Sequence, residues 1–247
     1  MYLYENFFSK LDPYFEFDPK AFIADGKAGK DICGFFLSLS LMSNDLKTIS
    51  IFIRIIGEEI PLPSNAPKRA SGELAGLQLH VLRLNVGIMF ELFNLISKNR
   101  KLLDDSFFKD VLRSTEPMTK ECWQNIVEAS DENRDFKKKD SNPFYMIRNK
   151  TVFHYEKDDI LEGYKEGFVK NALGLPCISR GGRIINSRLY FADRAIDGYI
   201  SKKIGMTRDE FFKKIGALNE SASISLLNLA TAFIIKRGCS FKKAKQD

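Results

Sequence analysis

The residue types best suited to chemistry are an arginine and a histidine in the stretch NPFYMIRNKTVFHYEKDD, residues 142–159. His154 is one of only two histidines in the chain, and Arg148 and Asn149 precede it by six and five residues. A histidine titrates near neutral pH and can transfer a proton, while an arginine offers a permanently charged fork that suits phosphate. Together they would suit a metal-free ribonuclease. His154 would take the proton of a ribose 2′-hydroxyl, and Arg148 would stabilise the charge growing on the phosphate. Asn149 would orient the phosphate or the imidazole by hydrogen bonding.

The same residues also fit an ordinary helix that buries Ile147, Val152 and Phe153 and leaves its polar side chains outside. On an ideal helix, His154 lies about 240° round the axis from Arg148 and about 9 Å further along it. The two side chains are then not neighbours on one face. To act together they need the long reach of Arg148, a local irregularity in the helix, or a second subunit that brings another copy.

The helix that carries this motif has a clear start. Asn142 is a good N-cap and Pro143 a good first helical residue, and we expect the helix to end near residues 155–157. A charged stretch at 130–142 precedes it and predicts a solvated loop.

The strongest helical pattern in the chain lies at about 72–99, where leucines and other apolar residues recur at steps of three and four. Glu91 on this helix is either a partner for Arg148 or a solvated acid. The second histidine, His80, lies beside the apolar stripe, and we interpret it as a structural residue.

The remaining elements are also mostly helical. A proline-rich loop or linker at 61–72 separates the helix at 72–99 from an apolar segment, 31–60, whose part 49–56 is ambiguous between helix and strand. Thr119 is a plausible N-cap, and residues 207–210 form a capping box. Further helices are predicted at about 104–114, 119–130, 158–170, 189–203 and 207–237, with a short strand at 183–190.

Composition narrows the class of protein. The chain has 247 residues, 44% of them hydrophobic, with 21 Phe and only 8 Pro, which favours one globular domain over 1–247 built from long helices. The apolar runs at 32–44 and 221–235 are too short for a membrane span, so we expect a cytoplasmic protein that does not act at a membrane. The four cysteines show no metal-binding spacing and are expected to be reduced thiols. Neither a metal nor a cofactor is expected.

The net charge of +6 is mildly basic, and the last twelve residues carry five bases and one acid. Such a tail is either a frayed, solvated end or a phosphate-contacting segment. The second interpretation would suit a module that binds RNA without cleaving it, with an affinity that falls steeply with added salt.

The sequence MIRNKTVFHY resembles the signature of the HEPN superfamily. That signature is an arginine, then a polar residue, then a histidine separated from the arginine by four to six positions. The signature is matched by Arg148, Asn149 and His154. The sequence of this stretch is most similar to AbiU-type abortive-infection proteins. In the branch that transfers nucleotides a tyrosine stands two positions after the histidine, whereas here Tyr155 follows His154 directly.

The resemblance implies an all-α fold, an antiparallel bundle with a HEPN-like four-helix core at about 70–170 and helical additions at 1–60 and 175–247. It implies a homodimer, paired through the motif helix, that places two Arg-His motifs in one cleft. Many members are metal-independent endoribonucleases of toxin–antitoxin or phage-defence systems, and others are inactive scaffolds. For this chain it implies catalytic Arg148, Asn149 and His154, substrate-binding Lys150 and Tyr155, RNA as substrate, and an antitoxin or other protein partner. The alternative is a non-catalytic dimerisation or interaction protein of the same fold.

Overall fold

The computed structural model describes most of the chain, and the following statements concern that part. The described residues are 15–26, 28–58, 68–133, 142–152, 156–170, 176–179, 182–184, 187–203 and 208–243.

The described residues form an all-α helical bundle, as the sequence predicts. Two residues at each end of this part pair as a small antiparallel ladder, β1 (Phe15–Glu16) with β2 (Lys242–Lys243). The helices are α1 (Lys30–Glu58), α2 (Lys68–Lys98), α3 (Ser106–Arg113), α4 (Pro117–Asn133), α5 (Pro143–Ile147), α6 (Lys157–Tyr164), α7 (Tyr190–Lys203) and α8 (Arg208–Lys236). Short 3₁₀ turns lie at Pro19–Phe22 and Arg100–Asp104, and π-helical stretches at Arg148–Val152 and Lys165–Lys170.

Four long helices enclose the main core. α1, α2, α4 and α8 form a closed ring in which α1 and α4 each contact both α2 and α8. Phe36 of α1 stacks on Phe233 of α8 at 4.3 Å between ring centroids and on Phe108 of α3 at 5.5 Å. Aromatic pairs of this kind add about 0.5–1.5 kcal/mol each beyond the area they bury. The segments 1–60 and 175–247, expected as additions, thus contribute α1 and α8 to the same buried cluster as α2 and α4.

The predicted helices are present with some changes of boundary. Residues 49–56 are helical, because Ile49 and Ile56 of α1 are buried against Val81 of α2. Helix α4 begins at Pro117, so Thr119 is not an N-cap; it lies buried inside α4 and accepts a hydrogen bond from Asn228. In place of the expected strand at 183–190, the described residues contain an isolated antiparallel bridge. In this bridge the backbones of Ser179 and Arg188 exchange two hydrogen bonds. Residues 61–67, 134–141 and 204–207 of the predicted loops and capping box lie outside the described part.

The C-terminal tail pairs with β1 at Lys242 and Lys243, so its described part is not frayed, while Lys236, Lys242 and Lys243 are exposed to solvent as expected. Arg237 has a side chain only 3% exposed, and its guanidinium bonds to Asp25 and to the carbonyl oxygens of Ala21 and Ile23. The segment before α1 is thereby fixed to the end of α8, and Arg237 is engaged inside the protein.

Two helical segments, 70–98 and 210–236, are long and apolar enough to cross a membrane by length and composition alone. Both belong to the ring around the core, and 61% and 44% of their most apolar windows are buried inside the protein. A core helix of a globular protein passes the same test, so this finding is weak evidence for a span.

Candidate functional site

Helix α5 starts where the sequence predicts, because Asn142 caps it. The Asn142 side-chain oxygen accepts hydrogen bonds from the backbone N–H groups of Phe144 and Tyr145, at 3.0 and 3.2 Å. Its amide nitrogen donates to the side-chain oxygen of Asn133 at the end of α4. The cap therefore fixes both the start of α5 and its position against α4.

Aromatic side chains anchor α5 to the core. Phe144 is 2% exposed, and its ring meets Phe93 of α2 at 5.3 Å and Phe211 of α8 at 6.1 Å. Tyr145 meets Phe90 of α2 edge-on at 5.9 Å. These contacts place the end of α5 alongside α2.

The helix changes type at the motif arginine. The α-helical segment ends at Ile147, and a π-helical stretch covers Arg148–Val152. The buried Thr151 hydroxyl donates to the carbonyl oxygen of Ile147 at 2.9 Å within this stretch. π-helical turns are rare and frequently occur at functional sites.

The expected single α-helix through residues 155–157 is therefore wrong in its helix type. Because i→i+5 bonding gives more residues per turn, the ideal-helix angle of 100° per residue does not apply to residues 148–152. A local irregularity, one of the three conditions under which the pair could act together, is present at residues 148–152. His154 itself, with Phe153 and Tyr155, lies outside the described residues.

Arg148 is held against α2. Its Nε donates a hydrogen bond to Oε1 of Glu91 at 2.9 Å, its Nη2 lies 2.7 Å from the same oxygen, and its guanidinium lies 5.8 Å from the centre of the Phe90 ring. Its Nη1 donates to the side-chain oxygen of Asn149 at 2.7 Å, and the Asn149 amide donates back to the carbonyl of Tyr145. The Arg148 side chain remains 27% exposed, so the guanidinium is both oriented and accessible.

Of the two interpretations of Glu91, the partner for Arg148 is the one present, and Asn149, which we expected to orient the phosphate or the imidazole, bonds directly to Arg148. Lys150 is directed elsewhere. Its amino group pairs with Asp159 of α6 at 3.3 Å, and this hydrogen bond raises the pKa of Lys150. The two cations of the motif are bound to different helices, so the structure does not bring Lys150 to the Arg148 guanidinium.

His80, interpreted from the sequence as a structural residue, is exposed on α2. Partial desolvation and the nearby Arg83 and Arg188 lower its pKa, while Asp193 acts in the opposite direction. In the described residues, no three side chains of His, Cys, Asp or Glu gather as a metal site.

No protein-family model, no curated sequence and no solved structure matches the chain.

Sequence reasoning missed two features beside Arg148. The first is the Phe90 ring under its guanidinium. Phe90 lies next to Glu91 in the sequence and on the side of α2 that faces α5. The second is the π-helical stretch. It has no sequence signal of its own, because residues 148–152 are either helix formers or β-branched residues of modest helix propensity.

Proposed function

We propose that this protein is a HEPN-like, metal-independent endoribonuclease with a toxin or phage-defence role. The observation that supports the proposal most is the fixed geometry of Arg148, which Glu91 and Asn149 hold in a partly exposed position at the start of a π-helical stretch. An arginine oriented before substrate arrives loses little further freedom when it binds a phosphate.

The chemistry divides between two residues. His154 takes the proton of the ribose 2′-hydroxyl, and the 2′ oxygen forms a bond to phosphorus while the bond from phosphorus to the 5′ oxygen breaks. Arg148 stabilises the charge that grows on the phosphate oxygens. The products are a 2′,3′-cyclic phosphate and a 5′-hydroxyl, whose oxygen takes a proton from water, while His154 releases the proton of the 2′-hydroxyl to the solvent. Two subunits, paired through the motif stretch, would face each other across one cleft in the cytoplasm, with an antitoxin or other protein as partner.

The test is RNA cleavage by the purified protein in EDTA. Arg148→Ala and His154→Ala are each expected to abolish cleavage without unfolding the protein, since general acid-base help alone is worth about 10²–10⁴ in rate. Arg113→Ala is the matched control, because Arg113 is an exposed arginine of α3 paired with Asp110. If wild type and His154→Ala are equally inert on varied RNA pools, the proposal fails.

A second candidate, a non-catalytic helical dimer or interaction protein, is favoured by the same contacts interpreted differently. Glu91, Asn149 and Phe90 already satisfy much of the Arg148 guanidinium, as they would for a structural arginine. It predicts that His154→Ala weakens the dimer or lowers the melting temperature and changes no nuclease activity. Mass measurement in solution and thermal unfolding separate the two candidates, and an unchanged dimer contradicts the second.

A further inference from the structure

Three guanidinium groups lie along one side of α2. Gly76, Arg83 and Phe90 are seven residues apart, so they share one side of the helix at steps of about 10.5 Å. A Cβ atom on Gly76 would collide with the guanidinium of Arg188, which therefore lies over that glycine. The guanidinium of Arg148 lies over Phe90. Arg83 occupies the middle of the row.

Arg83 differs from the arginine beside it in having no partner. Arg188 is held by Glu73 at 2.7 Å and Asp193 at 2.8 Å, so its charge is compensated. Arg83 is only 8% exposed, yet among the described residues no hydrogen bond or ion pair joins its side chain to another group. Its Nε is buried and unpartnered.

A guanidinium with a buried, unpartnered nitrogen, such as the Nε of Arg83, is costly. Removing a charge from water is offset only when an opposite charge and hydrogen bonds replace the water. An arginine cannot escape this cost by losing its proton. Arg83 is therefore a group that an incoming anion would stabilise.

An exposed histidine lies beside Arg83. His80 is one turn earlier on the same side of α2, and the charges of both Arg83 and Arg188 act on it. Asp193, whose charge also acts on His80, is already bound by Arg188.

We infer that Arg83, with His80 beside it, forms a phosphate-binding site on α2. A phosphate oxygen would accept from the Arg83 guanidinium, and His80 would donate a second hydrogen bond. The same chemistry fits a phosphodiester of an RNA strand or the phosphate of a small free ligand.

The location favours an RNA strand. Arg83 lies eight residues before Glu91, about 12 Å along α2 from the carboxylate that holds Arg148. That distance corresponds to about three or four nucleotides at the rise of one strand in a duplex. A strand cleaved at Arg148 would then keep a second phosphate at Arg83. This part of the inference rests on the proposed function, whereas the phosphate site itself does not.

The first measurement uses inorganic phosphate alone. Thermal unfolding is followed with increasing phosphate and, in parallel, with chloride at equal ionic strength. Wild type is expected to melt at a higher temperature in phosphate, and Arg83→Met is expected to lose this increase. Arg113→Met, the exposed control on α3, should keep it. Absence of a phosphate-specific increase in the wild type overturns the inference with no need of a variant. If Arg83→Met does not fold, Arg83→Gln takes its place.

The second measurement is the binding of a labelled single-stranded RNA across a range of salt concentrations. Loss of one phosphate contact should reduce the slope of log affinity against log salt by about 0.7. Arg83→Met is expected to show this reduction, and Arg113→Met to match wild type. A phosphate effect on melting that depends on Arg83, with unchanged RNA binding, identifies a small phosphorylated ligand and contradicts an RNA strand. Arg83-dependent RNA binding without cleavage in EDTA supports the site and contradicts the proposed nuclease.

Discussion

The Nε of Arg148 donates a hydrogen bond to Oε1 of Glu91 at 2.9 Å, and the Nη2 of Arg148 lies 2.7 Å from the same oxygen. Both side chains are partly exposed, at 27% and 37%, so water screens the pair. We expect a coupling energy of about 1 kcal/mol in a double-mutant cycle of Arg148→Met and Glu91→Gln, measured by denaturant unfolding. The Arg113–Asp110 pair of α3, which is far more exposed, is the control and should couple by about 0.3–0.5 kcal/mol. Equal coupling in the two pairs would contradict a site that specifically orients Arg148.

Replacing the cap of α5 should loosen the motif and leave distant helices intact. Asn142→Ala removes the acceptor for two backbone N–H groups, so we expect a loss of about 1 kcal/mol in unfolding free energy. Asp105→Ala removes an equivalent cap from α3 and should cost a similar amount. Hydrogen exchange should become faster at residues 144–152 in the first variant only. Faster exchange there in both variants would show that the motif responds to global stability and not to its own cap.

Glycine at position 163 is required by the close approach of α6 and α7. A Cβ on Gly163 would strike the carbonyl oxygen of Ala195 and lie 2.7 Å from the backbone nitrogen of Tyr199. Gly163→Ala should therefore lower the unfolding free energy by about 1–3 kcal/mol, because the helices must separate. Gly216 of α8 is the control, since a Cβ there meets nothing within 4 Å and Gly216→Ala should stabilise by about 0.4–1 kcal/mol. Stabilisation by both substitutions would contradict the close α6–α7 contact.

His80 should make the protein less stable in mild acid. Burial of part of the ring and the charges of Arg83 and Arg188 lower its pKa below the ordinary value near 6.5. The unfolded chain then takes up the proton first, so stability is full above pH 7 and falls as the pH drops through 6.5 towards the folded pKa. The difference in unfolding free energy between wild type and His80→Gln, measured in phosphate-free buffer, should decrease from pH 7.5 to pH 5. The effect should be small because the ring is exposed, and a difference that increases in acid would contradict the assignment.

Local patterns in the sequence determined the helical class and several helix positions. The apolar spacing at 72–99 specified a helix with one buried stripe, and Asn142 with Pro143 specified where α5 begins. These features depend on residues within one or two turns of each other, so they can be recognised in the sequence without knowledge of the fold. The chemical character of Arg148, Asn149 and His154 was likewise visible from residue type and spacing.

The tertiary structure alone decided what those residues contact. Arg148 meets Glu91 across 57 positions of the chain, and the buried Arg237 binds residues more than 200 positions away. Packing also decided that α5 gives way to a π-helical stretch at Arg148, that His80 is exposed, and that Arg83 is buried without a partner among the described residues. Periodicity places a residue on one face of a helix. Which neighbour covers that face depends on how all the helices fill the common core, and the sequence around any one residue does not contain that information.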